Sequence, residues 1–351
     1  MIEKPRPEPA AGEALLRTLR VGVDGTDHEV IGGSHGGFPE GEDHMVLGHE
    51  AIAVVEDANG TDLDEGEVVV PTVRRPPAEG ENEYFDRGEP DMAPDGEYVE
   101  RGIVGEHGYM AEYVTSPPEY LIPVPAERWE TAFLVEPISI TEKAMEHAYA
   151  SRAAFEWSPE SALVLGNRSL GLLTLAMLEY GVDSDRSFAA HDFERTYCLG
   201  RRERPDPTVD IIDEIGATYV NSTETPLETV PDEFESMDFV YEATGYAPHA
   251  FETVEALAPN GVGALLGIPD SWEFEVDGGR IHNELVLHNK ALVGTVNSHV
   301  KHFEGAVDTL AAMPEWLLDD LVTTVATPAD VAPAFEYGDD QIKAVVEFDR
   351  L

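Results

Sequence analysis

The chain has 351 residues, and its 70 acidic residues outnumber 22 Lys plus Arg, giving a net charge of −48. A single hydrophobic core rarely serves so long a chain, so we expect two domains. Such a negative surface argues against a nucleic-acid partner, and no apolar stretch is long enough to span a bilayer. No positively charged start leads into a short apolar segment, so we expect no secretory signal.

The acidic residues are spread among hydrophobic segments and do not form a tail, as in residues 62–67 just before Val68. This distribution favours a folded protein with an acidic surface. Such a surface repels itself at low salt, whereas at ~1 M salt the Debye length is about 3 Å and the repulsion is screened. We therefore expect a cytoplasmic protein of an organism with molar salt inside. The alternative is an ordinary acidic protein.

The first part of the chain, up to about residue 150, is rich in Gly, Pro and charge and contains short β-type runs. We expect strands over residues 16–23, 51–55 and 67–73, and an apolar run at 45–47 that precedes a Gly-His-Glu turn. A Pro- and Glu-rich loop follows at residues 75–96. This segment resembles an irregular β-barrel with long loops.

The pattern changes to helical spacing after Glu136, with a helix predicted at 141–150. Strands are then predicted at 162–165, 195–199, 239–241 and 262–268, and helices at 170–180, 207–215 and 249–257. This alternation predicts a parallel, doubly wound sheet. The tail from Ala291 has strand, helix and strand character, and we expect it to return to the first domain.

The single cysteine, Cys198, lies in an apolar strand-like run. It cannot form an internal disulfide, and a small core residue is the favoured interpretation over a nucleophile.

Three ordered segments resemble the catalytic zinc motifs of the medium-chain dehydrogenase/reductase superfamily: residues 22–28 (GVDGTDH), 48–50 (GHE) and 134–137 (LVEP). Most members have Cys where Asp24 stands, and the Asp variant resembles the glucose dehydrogenase branch, in particular its halophilic members. Residues 71–77 and 100–103 support the resemblance to this branch, and the likeness runs along almost the whole chain. The resemblance implies an α/β protein with a GroES-like irregular β-barrel catalytic domain (1–151 and 289–351) and a Rossmann nucleotide-binding domain (152–288).

The resemblance implies that Asp24, His49 and Glu136 hold a catalytic zinc ion. Zinc accepts carboxylate oxygen and imidazole nitrogen, and a catalytic site keeps three protein ligands and an open position. Glu50, beside His49, would lie near the metal and could replace a ligand or a water during turnover. Singly, each residue has a structural interpretation: a turn aspartate, a core histidine, or an acid at a helix N-terminus.

Relatives often carry four closely spaced cysteines in the loop after Pro77, and this chain has none there. We therefore predict one catalytic zinc ion per subunit and no structural zinc, with the loop held by packing, ion pairs or bound cations. The loop contains Asn82, Tyr84, Asp86, Asp91 and Asp95.

A predicted strand runs into a segment that resembles the dinucleotide fingerprint G-x-G-x-x-G, and a helix follows it. Its predicted cofactor-binding residues are Gly166, Asn167, Arg168, Ser169, Leu170 and Gly171. Arg168 stands where the second glycine belongs. Its side chain would crowd the phosphates, or need an unfavourable backbone, or else pair with a phosphate oxygen. We predict weakened dinucleotide binding.

The next strand ends at Gly200 and is followed by Arg201 and Arg202, where NAD-selective folds place an acid. Two arginines suit a 2′-phosphate, so we predict that NADP is preferred over NAD; a solvated arginine pair is the alternative. Thr244 and Gly245 follow a later strand at the carboxyl edge of the sheet and resemble residues that line the nicotinamide ribose.

By resemblance, the reaction is oxidation of an aldose at C1 to the lactone, with zinc polarising the C1 hydroxyl. Thr26 would relay the substrate proton toward solvent. Glu100, Glu136 and Asn297 would hold sugar hydroxyls; a surface ion pair and a turn asparagine are the alternatives for Glu100 and Asn297. The resemblance also implies a homodimer or homotetramer.

Two other functions stay open. One is a different zinc polyol or alcohol dehydrogenase. The other is a catalytically weak nucleotide- or metal-binding homologue, favoured by Arg168 and by Ala53, where relatives often have glycine. The chain also begins without most of the opening β-hairpin of family members, which would expose a sheet edge.

Overall fold

The computed structural model describes residues 2–77, 82–182, 184–188, 193–269, 271–336, 338 and 340–351. Its strands are β1 (Ala14–Val23), β2 (Glu50–Asp57), β3 (Val68–Pro71), β4 (Arg74–Arg75), β5 (Val99–Arg101), β6 (Gly105–Glu106), β7 (Tyr113–Ser116), β8 (Leu121–Pro123), β9 (Ser161–Leu165), β10 (Arg195–Gly200), β11 (Thr218–Asn221), β12 (Met237–Glu242), β13 (Leu257–Leu265), β14 (Ala291–Gly294), β15 (Val322–Ala326) and β16 (Lys343–Glu347). Its helices are α1 (Gly25–Gly32), α2 (Glu83–Asp86), α3 (Val135–Arg152), α4 (Ser169–Tyr180), α5 (Pro207–Ile215), α6 (Val230–Glu233), α7 (His249–Ala256), α8 (Gly278–Leu287), α9 (Val300–Ala312) and α10 (Glu315–Leu321).

The chain forms two compact units. Unit 1 comprises the chain up to Ser139 together with Asn297–Leu351, and unit 2 is Ile140–Val296. The sequence places the domain boundaries after residues 151 and 288. In the structure, most of α3 and the whole of β14 fall in unit 2.

Unit 1 is built around β1, which pairs antiparallel with β2, β7 and β16. The seven-stranded sheet has the order β15-β16-β1-β2-β3-β8, with β7 beside β1. Apolar side chains from these strands, including Leu16, Val21 and Val69, form one buried core. Ala53 is an ordinary member of that core, opposite Val69 in the strand register.

The cysteine-free loop of unit 1 is fixed by polar contacts. Asn82 caps α2 through a hydrogen bond from the Tyr84 amide, and its Nδ2 donates to the Glu97 carbonyl at 2.6 Å. The buried carboxylate of Asp91 lies 2.8 Å from Nδ1 of His299. Hydrogen bonds and the Asp91–His299 contact thus act on this loop, and the absence of a structural zinc ion from it stays a prediction.

Unit 2 contains a six-stranded parallel sheet of order β11-β10-β9-β12-β13-β14. Every residue of β9 is buried, which is typical of a central parallel strand. Local signals define one of its helices, α5, especially clearly. In α5, Asp206 is the N-cap, Pro207 opens the first turn, and Gly216 ends the helix in the left-handed region. The predicted two-domain α/β fold is confirmed.

The structure corrects part of the predicted tail. Residues 291–294 form β14, which pairs parallel with β13 and so extends the sheet of unit 2. The return to unit 1 begins only at Asn297. Among the described residues, no helix combines the length and the apolar character that crossing a bilayer requires.

Candidate functional site

The predicted metal ligands lie together at one end of the β1–β2 pair. Asp24 follows β1 as the N-cap of α1, His49 directly precedes β2, and Glu136 lies in the first turn of α3. His49 Nε2 lies 3.6 Å from Asp24 Oδ2. His49, Glu50 and Glu136 each offer one ligand atom within 4.8 Å of the others, and so do Asp24, Asp27 and His49.

Apart from the partly exposed Asp24, the side chains of this cluster are buried, and they carry competing charges. Burial raises the pKa of Glu136 to about 8. Burial also opposes ionisation of Asp24, but the charge of His49 outweighs it and holds the pKa of that carboxyl below its ordinary value. Burial favours neutral His49, yet Asp24 raises the pKa of the imidazole well above its usual range. A cation at this position would relieve the repulsion among the carboxylates.

The residues present fit a divalent metal ion. His49 Nε2 faces Asp24 Oδ2 at 3.6 Å, which is longer than a hydrogen bond, and Glu50 and Glu136 place carboxylate oxygens within 4.8 Å of a ring nitrogen of His49. Carboxylate oxygen and imidazole nitrogen are both zinc donors.

Lys343 on β16 is a residue of this site that our sequence analysis missed. Its ammonium is buried, donates to Glu50 Oε1 at 2.6 Å and also contacts Glu50 Oε2. Burial alone would lower the pKa of Lys343, but the charge of Glu50 raises it instead. The sequence signal is a lysine inside the apolar run of residues 342–346. A buried charge needs a partner, and that partner is 293 residues away.

Asp27 was also missed. It forms a capping box with Asp24, in which each backbone N–H donates to the other side chain at 3.1 Å. Its other oxygen accepts from the Gly48 amide at 3.2 Å. Asp27 therefore ties the Asp24 turn to the turn before His49. Burial raises the pKa of Asp27 to about 7. The Asp-x-x-Asp spacing was the available signal.

The predicted substrate residues occupy two places in unit 1. Thr26 is half-buried in the first turn of α1, two residues after Asp24. Glu100 on β5 is buried, and its Oε1 accepts from Arg74 Nε at 2.8 Å and from Asn297 Nδ2 at 3.3 Å. The ion pair of Glu100 is thus buried, and its partner is Arg74 and not the adjacent Arg101.

The turn between β9 and α4 has the form that phosphate binding requires. Gly166 adopts φ 110°, and a Cβ on Gly171 would overlap the Gly166 carbonyl oxygen, so both positions need glycine. Arg168 is the N-cap of α4, with an exposed side chain and φ −93°, ψ −173°. Any residue adopts that extended conformation, so the expectation of an unfavourable backbone at Arg168 is wrong. Crowding of the phosphates by its side chain stays a prediction.

The remaining fingerprint residues are held by neighbouring segments. Asn167 Nδ2 donates to Thr208 Oγ1 at 2.6 Å, and Asn167 also fills the space beside Gly200, where a Cβ would lie 2.9 Å from its Cγ. Ser169 and Leu170 open α4. The predicted 2′-phosphate residues follow β10, with Arg201 exposed and Arg202 3.8 Å from Asp206.

At the carboxyl end of β12, Thr244 is fixed by two neighbours. Its amide donates to Glu242 Oε1 at 2.7 Å, and its hydroxyl lies 2.9 Å from His249 Nδ1. Gly245 has φ 66°, and a Cβ there would lie 2.9 Å from the Ile268 carbonyl oxygen. This region therefore has a defined backbone at the position predicted to line the nicotinamide ribose.

Known families and proteins match the chain along its length. The family model described as Glucose dehydrogenase C-terminus matches residues 129–348, and the Alcohol dehydrogenase GroES-like domain matches residues 10–126. Glucose 1-dehydrogenase of Haloarcula marismortui is 68% identical over 351 residues, which are 100% of this chain and 96% of the relative. That of Haloferax mediterranei is 66% identical with the same coverage.

Solved structures agree with these matches. The structure of Haloferax mediterranei glucose dehydrogenase in complex with NADP, Zn and gluconolactone has a TM-score of 0.95 and 65% identity, covering 100% of this chain and 96% of that chain. A 2R,3R-butanediol dehydrogenase from Bacillus subtilis shares the fold, with a TM-score of 0.76 at 21% identity.

The fold and the site together define a zinc-dependent medium-chain dehydrogenase, an oxidoreductase that acts on CH–OH groups. Within that class, the chain belongs to the glucose 1-dehydrogenase family, alongside relatives from halophilic archaea. The family predicted from the Asp24, His49 and Glu136 motifs is confirmed.

Proposed function

We propose that this chain oxidises D-glucose at C1 to gluconolactone, with a bound zinc ion and with NADP as the hydride acceptor. The observation that carries the proposal is the pair of ligand groups that share His49: Asp24, Asp27 and His49 on one side, and the buried His49, Glu50 and Glu136 on the other. The complex of the Haloferax mediterranei relative with NADP, Zn and gluconolactone supports it.

Asp24, His49 and Glu136 would hold the metal ion, which lowers the pKa of the C1 hydroxyl when bound. Lys343 holds Glu50 in a buried ion pair beside this set. Thr26, half-buried in the first turn of α1, would accept the hydroxyl proton and pass it toward solvent. Glu100 and Asn297, which share a hydrogen bond with each other, would bind the other sugar hydroxyls through their remaining polar atoms.

The preference for NADP over NAD would come from Arg201 and Arg202. The two arginines follow β10, where the 2′ position of a bound nucleotide lies in this fold. Arg201 is exposed, so its guanidinium is accessible to a phosphate. Arg168, also exposed, would contribute to the pyrophosphate turn.

We also propose that the protein is cytoplasmic and forms a homodimer. Within the described chain, β14 is an edge strand of the sheet in unit 2, and Val286 and Leu287 nearby in sequence are 62% and 72% exposed. An unpaired strand beside exposed apolar side chains is a suitable surface for a second copy. Light scattering in molar KCl would then give twice the chain mass.

The proposed reaction predicts glucose-dependent reduction of NADP in molar KCl, abolished by a chelator and restored by added zinc. NADP should outcompete NAD at equal concentration. Galactose, sorbitol and ethanol in the same assay separate an aldose dehydrogenase from a polyol or alcohol dehydrogenase. Loss of turnover in His49→Ala, with NADPH binding retained, would assign the effect to the metal site. Absence of chelator-sensitive turnover would favour a catalytically weak homologue.

A further inference from the structure

Arg74 is a buried cation that the proposed reaction does not use. It retains 3% exposure and lies on β4, next to the β5 strand that carries Glu100. Its Nε donates to Glu100 Oε1 at 2.8 Å. Its Nη1 donates to the carbonyls of Pro90 and Asp91 at 3.2 and 3.0 Å, and its guanidinium lies 3.6 Å from the centre of the Tyr98 ring. Arg74 is therefore immobilised from several sides.

Asn297 fixes the same carboxylate from another segment. Its Nδ2 donates to Glu100 Oε1 at 3.3 Å, and its Oδ1 accepts from the Ser298 amide at 2.8 Å. Its backbone is in the left-handed region at φ 55°, which asparagine tolerates better than most residues. One hydrogen of the Asn297 amide stays available for a further acceptor.

These contacts make the two oxygens of Glu100 unequal. Oε1 accepts from both Arg74 and Asn297, whereas Oε2 accepts no hydrogen bond within the part of the chain that the structure describes. Glu100 lies in the same unit as the predicted metal ligands. The turn after it packs on the turn before His49, since a Cβ on Gly102 would lie 2.6 Å from the Gly48 carbonyl oxygen.

We infer that Arg74 is a positioning residue for sugar recognition: it locks Glu100 Oε1, so that Oε2 and the free Asn297 amide hydrogen bind one hydroxyl of the sugar. A hydroxyl donates to Oε2 and accepts from Asn297, so it satisfies both groups, which an analogue lacking that hydroxyl cannot do. The inference rests on the proposed function, because it concerns the substrate of the same site.

Arg75 provides a matched control. It is equally buried, and its guanidinium donates to Thr72 Oγ1, the Arg74 carbonyl and the Tyr109 hydroxyl. It makes no hydrogen bond or ion pair with Glu100. Arg74→Lys and Arg75→Lys therefore remove comparable guanidinium contacts from neighbouring positions, but only the first releases Glu100.

The test measures how tightly the protein binds D-glucose and its 2-, 3-, 4- and 6-deoxy analogues at equilibrium. The protein is loaded with zinc and NADPH in molar KCl, and the change in NADPH fluorescence reports sugar binding. We expect Arg74→Lys to weaken glucose binding about tenfold, as for one charge-assisted hydrogen bond. One deoxy analogue should bind wild type and Arg74→Lys equally. Arg75→Lys should leave the affinities for all the sugars unchanged, and adding Arg74→Lys to Glu100→Gln should cost no more than about twofold.

If Arg74→Lys lowered the affinity for glucose and for every deoxy analogue by the same factor, Arg74 would have a general structural role and the inference would be overturned. So would an unchanged glucose affinity, or a wild-type protein that binds no sugar. If the sugars bind in the expected pattern but NADP is not reduced, the proposed function fails while the role of Arg74 stands.

Discussion

The carboxylate of Glu50 is buried, and residues on β16 and β1 provide its countercharge and the space that it occupies. Lys343 on β16 supplies the countercharge. Gly22 on β1, directly opposite Glu50 in the register, supplies the space, since a Cβ there would overlap Glu50 Oε2 and lie 2.9 Å from the Phe133 ring. Removing the partner of a buried charge costs about 3–5 kcal/mol. Lys343 on β16 reaches the Glu50 carboxylate on β2 across the intervening strand β1, where Gly22 has no side chain.

Gly22→Ala should lower zinc affinity by about tenfold, because the added methyl displaces Glu50 and with it His49, the adjoining residue proposed as a ligand. The measurement is the zinc dissociation constant from chelator competition. Gly32→Ala is the control, since a Cβ on Gly32 would meet nothing within 4 Å and its backbone is not in the left-handed region. Equal zinc affinity in Gly22→Ala and wild type would contradict the packing argument.

The cluster itself was predictable from sequence, and its supports were not. Asp24, His49 and Glu136, the predicted ligands, each lie in a short local motif, and the three motifs follow one another in a fixed order along the chain. Lys343 and Asp27 act through tertiary contacts to Glu50 and the Gly48 amide, and only the strand register brings those groups together.

At the scale of elements, β1 organises unit 1 through its pairing with β16. Arg20 and Glu347 are direct partners in that register, and two guanidinium nitrogens of Arg20 donate to Glu347 Oε2 at 3.0 and 2.6 Å. The Arg20 guanidinium also lies 4.8 Å from the centre of the Trp129 ring. The Glu347 side chain is 11% exposed, so this pair is better shielded than an ordinary surface salt bridge.

Glu347→Gln should lower the unfolding midpoint by about 3 °C at neutral pH. Burial opposes ionisation of Glu347, but hydrogen bonds from Arg20 and Arg350 lower its pKa. A lowered pKa in the folded state gives stability that is present above the unfolded glutamate value of about 4.3 and is lost as pH falls through the folded value. The difference in unfolding midpoint between Glu347→Gln and wild type should therefore become smaller at acid pH.

Thermal unfolding across that pH range is the measurement, with Glu40→Gln, at an exposed glutamate, as the control. If the difference in unfolding midpoint between Glu347→Gln and wild type grew as the pH fell, the role assigned to the Arg20–Glu347 pair would be contradicted.

The elements were predicted where periodicity and caps agree. Residues 207–215 form α5 as expected, because the N-cap, proline and terminal glycine are all local signals. The strand predicted at 262–268 is instead Leu257–Leu265. Pro259 to Gly261 have the composition of a turn, yet the chain continues as a strand, with Asn260 at φ 68°. The short strand β11 and the glycine-started helix α8 lacked a pattern strong enough to predict them.

At the scale of the whole molecule, the net charge of −48 leads us to expect that the stability of the fold depends on the salt concentration. The described cations are mostly engaged locally, as in Arg195 with Glu235 or Arg204 with Asp213. These pairs leave a large excess of carboxylates, whose mutual repulsion acts over distances that salt shortens.

The unfolding midpoint should accordingly rise by more than about 10 °C between ~0.1 M and ~2 M KCl, since the Debye length falls several-fold. Differential scanning fluorimetry over a KCl series measures it, with sucrose at matched osmolarity as a control for water exclusion. A midpoint that sucrose raises as much as KCl does would refute charge screening as the cause.

The lone cysteine has a practical consequence. Cys198 lies in β10 with no exposure, and burial raises the pKa of its thiol. While unit 2 is folded, an alkylating reagent therefore cannot reach a reactive thiolate. The rate of thiol modification therefore reports local unfolding of the nucleotide-binding unit alone, and no cysteine has to be introduced for the measurement. For the same reason, a cysteine introduced on the surface of unit 1 could be labelled selectively in the native enzyme.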